Sequence, residues 1–90
     1  MRDIPPTPAD LLDLRGLRES LVPRPSLREV ACGAGIETAL LSRIETGRKE
    51  ISLLLARRLA RFYSRATGRS VTAGEIFDRA ELALNRRRAG

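Results

Sequence analysis

The sequence predicts an all-α domain of five short helices. Apolar residues recur every three or four positions in five separate stretches, which is the spacing that places side chains on one face of a helix. Glycine or proline stands between these stretches, at points where a helix has to end. Because Phe62, Tyr63 and Phe77 are the only aromatic residues, the core is expected to consist of Leu, Ile, Val and Ala. Ninety residues are enough for one such core.

Helix 1 is predicted to run from Thr7 to about Leu21, after an extended arm at residues 1–6. Thr7 is a favourable N-cap residue, and Pro8 suits the first helical position because its missing N–H would have no partner there. Leucines share one face of this helix and prolines follow it. These residues are Leu11, Leu14, Leu17, Leu21, Pro23 and Pro25.

Two more helices joined by a glycine turn are predicted over residues 26–46. Ser26 is a good N-cap, and the two glycines of Gly33-Ala34-Gly35 permit a sharp change of direction. The helix after this turn has an apolar back, formed by Ile36, Leu40, Leu41 and Ile44. Its outward face carries Thr38, Ala39, Ser42 and Arg43, and Gly47 ends it. This arrangement is typical of a helix-turn-helix.

The last two helices complete the predicted domain. Helix 4 spans residues 53–66 after the N-cap Ser52, and helix 5 opens with a capping box in which Thr72 is the N-cap and Glu75 lies three residues later. We therefore predict one domain over residues 7–85 and a basic tail at residues 86–90.

The formal charge of +6 is concentrated in the middle of the chain. Residues 20–70 contain ten cations and four glutamates, so this segment alone accounts for the whole net charge. Positive charge on the motif is the electrostatic footprint of a protein that binds a polyanion. Four arginines lie on the polar side of helix 4, and we expect most of this ridge to be solvated. They are Arg57, Arg58, Arg61 and Arg65.

Residue types argue against catalysis, metal binding and secretion. The chain has one cysteine, Cys32, and no histidine, which excludes an intramolecular disulfide, the usual Cys/His zinc sites and a cysteine–histidine nucleophile. Cys32 is expected to be a buried or half-buried apolar residue. We expect no enzymatic activity, cofactor or metal. Because no stretch has the length of a membrane span or the apolar region of a secretion signal, a cytoplasmic, nucleoid-associated location is expected.

The motif resembles the lambda repressor/Cro-like (XRE) helix-turn-helix family of transcriptional regulators. The most specific block is Leu41-Ser42-Arg43-Ile44-Glu45-Thr46-Gly47-Arg48, and the similarity extends over roughly residues 11–77. The other matching residues are Leu27, Val30, Ala31, Ala34, Gly35, Ile36 and Lys49. The resemblance implies a five-helix lambda-repressor-like DNA-binding domain. It also implies a sequence-specific regulator, expected to be a repressor, that places the helix at residues 37–46 in the major groove of double-stranded DNA.

Three sets of residues follow from this interpretation. Side chains expected to read bases are Glu37, Thr38, Ala39, Ser42 and Arg43. Residues expected to bind phosphate are Arg24, Ser26, Leu27, Arg28, Thr46, Arg48 and Lys49. The family resemblance further implies an ion pair between Arg18 on helix 1 and Glu45 at the end of the second motif helix.

A homodimer on an inverted-repeat operator is expected, because one motif covers few base pairs. The dimer surface is predicted on helix 5, where apolar residues exceed the needs of one core: Ile76, Phe77, Leu82 and Leu84. One alternative is an antitoxin-type regulator that also binds and neutralises a protein toxin. Another is a helical adaptor that keeps the fold but binds no DNA.

Overall fold

The computed structural model describes residues 11–89, and this part of the chain forms five α-helices and no strand. The helices are α1 (Leu14–Glu19), α2 (Leu27–Ala34), α3 (Thr38–Glu45), α4 (Leu53–Thr67) and α5 (Ala73–Ala89). The predicted all-α class is therefore confirmed. None of these helices combines the length and apolar character needed to cross a bilayer.

One core joins all five helices. Helix α2 packs against α3 and α4, while α5 packs against α1, α3 and α4. The largest fully buried side chains are Tyr63, Leu14, Leu41, Ile44, Leu59, Ile76 and Val30. Aliphatic residues thus dominate the interior, as the composition predicts. Tyr63 also meets the ring of Phe62 edge-on, with 5.2 Å between the ring centroids.

Helix α1 begins later than predicted. Residues 11–13 are not helical, and the Asp13 carboxylate caps the helix by accepting a hydrogen bond of 2.8 Å from the Gly16 N–H. A tertiary contact holds the preceding segment, because Arg79 on α5 donates a 2.6 Å hydrogen bond to the Leu12 carbonyl. The predicted arm and the cap at Thr7 lie outside the described residues.

The turn between α2 and α3 uses one glycine rather than two. Gly35 has a φ of 71° and ends α2 in the left-handed conformation. Gly33 instead lies inside α2, where a β-carbon would stand 2.6 Å from Cε2 of Phe62. Gly33 therefore provides space for an aromatic ring of α4 and contributes nothing to the change of direction.

The segment after α3 is held against α5. Gly47 has a φ of 76°, and a β-carbon at this position would overlap the carbonyl group of Ala83. Two independent features therefore require glycine here, the backbone conformation and the close approach of α5. As a result, α5 fixes the loop that follows the second motif helix.

Both ends of α5 differ from the predicted arrangement. The Thr72 hydroxyl accepts from the Glu75 N–H at 3.1 Å, but the Glu75 carboxylate pairs with Arg69 and Arg79, so the capping box is not reciprocal. Residues 86–89, predicted as a tail, are the last turn of the helix. Of the residues predicted for a dimer surface, Ile76 is fully buried in the core of its own chain.

Candidate nucleic-acid interface

Helix α3 separates its polar and apolar side chains as the sequence predicts. Leu41 and Ile44 are almost completely buried, and these anchors fix the rotation of the helix. The side chains of Glu37, Thr38, Ala39 and Arg43 are exposed, and that of Ser42 is half-buried. The outward face thus offers a guanidinium group, hydroxyls and small methyl-bearing side chains, which can contact base edges.

Glu37 places a carboxylate at the N-terminus of α3 without capping it. Its backbone is extended, its side chain is exposed, and it makes no hydrogen bond to the N–H groups of the first turn. Among residues 11–89, the N–H groups of the first turn of α3 and the Glu37 carboxylate therefore have no hydrogen-bond or ion-pair partner. Phosphate is repelled at this position, whereas an amino group such as cytosine N4 can donate to Glu37.

The N-terminus of α2 has a reciprocal capping box. The Ser26 hydroxyl accepts from the Glu29 N–H at 3.0 Å, and the Glu29 carboxylate accepts from the Ser26 N–H at 3.3 Å. Within the described chain, the N–H groups of Leu27 and Arg28 have no acceptor. These two donors can hold a phosphate oxygen, while the nearby Glu29 charge opposes it.

The loop after α3 presents two cations. Arg48 and Lys49 are exposed, and neither forms an ion pair with a described residue. The backbone N–H of Arg48 donates to the Arg43 carbonyl at 2.8 Å, which fixes the loop against the end of α3. The Thr46 hydroxyl already donates to the Ser42 carbonyl at 2.9 Å. In this conformation Thr46 has no hydroxyl proton for a phosphate.

The two arginines near the start of α2 have different surroundings. Arg24 is exposed but lies 3.8 Å from the Glu19 carboxylate, so its charge is partly compensated. Arg28 is exposed on α2 and has no carboxylate partner among residues 11–89. Arg28 is therefore the stronger candidate for a phosphate contact of the two.

Arg18 links three parts of the fold behind this surface. Its guanidinium donates to the Glu45 carboxylate through Nε and Nη2, at 3.0 and 3.1 Å, and through Nη1 to the Pro25 carbonyl at 3.3 Å. The Glu45 side chain is 4% exposed. Hydrogen bonding to Glu45 raises the pKa of Arg18 above its ordinary value. This pair fixes the C-terminal end of α3 relative to α1 and to the segment that enters α2.

Two further charged residues, Glu29 and Arg87, lie beside this surface. Glu29 was detectable, because Ser26 and Glu29 have the spacing of a capping box. Arg87 was predicted as part of the basic tail, but its position beside this surface depends on the contact between α5 and the loop at Gly47. Arg87 lines the same surface hollow as Glu45 and Thr46.

Cys32 is exposed, so its predicted burial is wrong. The apolar side of α2 is formed by Val30, Ala31 and Ala34, and Cys32 falls outside that side. Among the described residues, no group of three or more His, Cys, Asp or Glu side chains is placed to hold a metal ion.

Comparisons with protein-family models, with curated proteins and with solved structures give no match to this chain.

Proposed function

We propose that this protein is a sequence-specific, double-stranded-DNA-binding transcriptional regulator with a lambda-repressor-like fold, and that α3 enters the major groove. One observation carries this proposal: α3 is anchored by Leu41 and Ile44, while Thr38, Ala39 and Arg43 point into solvent. A helix fits the major groove, and its exposed side chains then meet base edges. The close packing of α2 against α3 supports a helix-turn-helix arrangement.

Base reading is assigned to the outward face of α3. Arg43 can donate two hydrogen bonds to O6 and N7 of guanine, and the methyl groups of Thr38 and Ala39 can contact thymine. Because Ser42 is half-buried, its hydroxyl can reach a base only where α3 closely approaches the base edges. Glu37 can accept from cytosine N4 and excludes phosphate from the start of the helix.

Phosphate binding is assigned to groups on both sides of α3. The N–H groups of Leu27 and Arg28 lie at the positive end of α2, and Arg48 and Lys49 extend from the loop after α3. These contacts give affinity that does not depend on sequence and that weakens as salt rises.

A homodimer is the proposed working form, with α5 as its contact surface. Phe77 and Leu84 are half-buried, and together with Ile51 and Ala80 they line a surface hollow of about 240 Å³. Two copies joined there would place two α3 helices on an inverted repeat. Bound over a promoter, such a dimer would exclude polymerase, which makes repression the expected outcome.

Selection of bound duplexes from a random pool tests the proposal. We expect enrichment of an inverted repeat, with half-sites about one helical turn apart, and binding that weakens steeply with salt. Recovery of unrelated sequences would contradict sequence-specific recognition. So would a DNA pool that binds the free protein no more tightly than it binds protein blocked by heparin.

A further inference from the structure

The cations of the described chain divide into paired and unpaired groups. Seven form ion pairs with carboxylates: Arg15, Arg18, Arg24, Arg69, Arg79, Arg86 and Arg88. Of the cations without a described carboxylate partner, Arg28, Arg43, Arg48, Lys49 and Arg87 belong to or adjoin the surface assigned to DNA. The remaining four lie together on α4: Arg57, Arg58, Arg61 and Arg65. This second group has no role in the proposed function.

Three of the α4 arginines line one surface hollow of about 340 Å³, which we call the α4 hollow. Its lining consists of Arg58, Arg61, Phe62 and Arg65 from α4 together with residues 32–35. No carboxylate of residues 11–89 lines it. In three other hollows of the described surface, cations and carboxylates occur together. The α4 hollow is therefore strongly positive and suited to an anionic occupant.

Parts of the α4 hollow are held in place by the fold. Nη1 of Arg58 donates to the Gly35 carbonyl at 2.9 Å, which leaves its other N–H groups for a ligand. The half-buried Phe62 ring packs beneath Gly33, where a β-carbon does not fit. The exposed Cys32 adds a further weakly polar surface. The hollow thus combines an apolar floor with guanidinium groups at its rim.

The α4 hollow is distinct from the phosphate contact assigned to α2, and its residue Gly35 lies two positions before Glu37 at the start of α3. The hollow adjoins the C-terminal end of α2, whereas the phosphate contact is assigned to the N-terminal end, about 12 Å away for an eight-residue helix.

We propose that the α4 hollow is a docking site for an acidic protein segment. Carboxylates of the segment would accept hydrogen bonds from Arg58, Arg61 and Arg65, because a guanidinium group can donate two parallel N–H bonds to one carboxylate. An apolar side chain of the segment would lie on Phe62. The positive charge of the hollow favours an acidic partner. The Phe62 ring at its floor favours an amphipathic segment over a simple polyanion. This goes beyond DNA binding, although its location relative to DNA rests on the proposed function.

Fluorescence anisotropy with a labelled synthetic helix tests the site. The helix carries Glu at every fourth position with Leu between, and a matched helix carries Gln in place of Glu. Arg61→Glu reverses a charge in the hollow, and Arg57→Glu makes the same change on an exposed arginine of α4 outside it. We expect Arg61→Glu to weaken binding of the acidic helix about tenfold and Arg57→Glu by less than about threefold.

The outcomes of this experiment are distinct. Binding of the Glu helix and not the Gln helix, with the stated difference between variants, supports the site. Absence of binding, or equal losses in both variants, overturns it, because attraction would then follow net charge alone. If Arg61→Glu instead abolished DNA binding, the hollow would belong to the DNA surface. The anisotropy measurement with the synthetic helix uses no DNA, so its result would be the same even if the proposed DNA binding failed.

Discussion

Arg18 and Glu45, 27 residues apart, form a two-point ion pair in which Nε and Nη2 of the arginine lie 3.0 and 3.1 Å from the two carboxylate oxygens. The Glu45 side chain is almost completely buried, so removing the arginine leaves a charge without compensation. We expect Arg18→Met to lower the free energy of unfolding by roughly 3 kcal/mol.

A double-mutant cycle with Arg18→Met and Glu45→Met isolates the interaction between these two side chains from their interactions with other residues. Urea denaturation of the four proteins should give a coupling energy of about 1.5 kcal/mol or more. The exposed pair Arg15–Glu19 on the same helix is the control, and its coupling should be about 0.3–0.5 kcal/mol. Equal coupling in the two cycles would show that Arg18 does not fix α3.

Gly47 and Gly68 provide a matched comparison of backbone strain and packing. Both have φ near 75°, at 76° and 73°. An added β-carbon at Gly47 would meet Ala83, whereas one at Gly68 would have no described atom within 4 Å. Gly68→Ala should cost about 1–2 kcal/mol, the ordinary penalty of the left-handed conformation. Gly47→Ala should cost clearly more in thermal or urea denaturation, because the loop has to leave α5. Similar losses in the two variants would contradict the close approach of Ala83.

Local sequence signals were enough to predict the helices of the motif. The spacing of Leu41 and Ile44 fixes which side of α3 is buried, and Ser26 and Ser52 cap α2 and α4 as expected. These features depend on residues within one turn of each other, so the sequence contains all the information they need.

Apart from the Arg18–Glu45 pair, which the family resemblance implied, features that depend on distant residues were not predicted. Thr7 and Asp13 are both suitable caps, and the structure begins α1 after Asp13, where Arg79 holds the neighbouring Leu12 carbonyl. The role of Gly33 is set by Phe62, which lies 29 residues later and reaches it only in the folded chain. Such contacts leave no periodic signal in the sequence.

Acid should weaken the cluster that joins Glu75 to Arg69 and Arg79. Hydrogen bonding from Arg69, followed by the contacts with Arg79, lowers the pKa of Glu75 below its ordinary value of 4.5, although burial opposes this shift. The pKa of Glu75 is lower in the folded chain than in the unfolded chain. The stabilisation is therefore fully present at pH values above the unfolded-state pKa, and it is lost as the pH falls through the folded-state pKa. Thermal denaturation should therefore show wild type more stable than Glu75→Gln at neutral pH, with the difference shrinking in acid. A difference independent of pH would contradict this assignment.

Glu29 is expected to limit DNA affinity. Its carboxylate lies at the N-terminus of α2, beside the two N–H groups assigned to a phosphate. Glu29→Gln keeps an oxygen for the cap and removes the charge, so binding to every duplex should tighten by about 0.3–1 kcal/mol at low salt. Asp78→Asn, which removes an exposed charge on α5, is the control and should change affinity less. Equal effects in a fluorescence titration would mean that net charge alone is responsible.

Arg43 and Lys49 should differ in how they act on DNA, because one is assigned to bases and the other to phosphate. Arg43→Ala should cost about 1–3 kcal/mol on the selected operator, relax the choice at one base pair and leave random DNA nearly unaffected. Lys49→Ala should weaken both duplexes alike and reduce the slope of log affinity against log salt by roughly one. Both side chains are exposed, so neither substitution should alter the fold, which circular dichroism can verify. Should the two variants lose affinity equally on operator and random DNA, α3 would not be the helix that reads sequence.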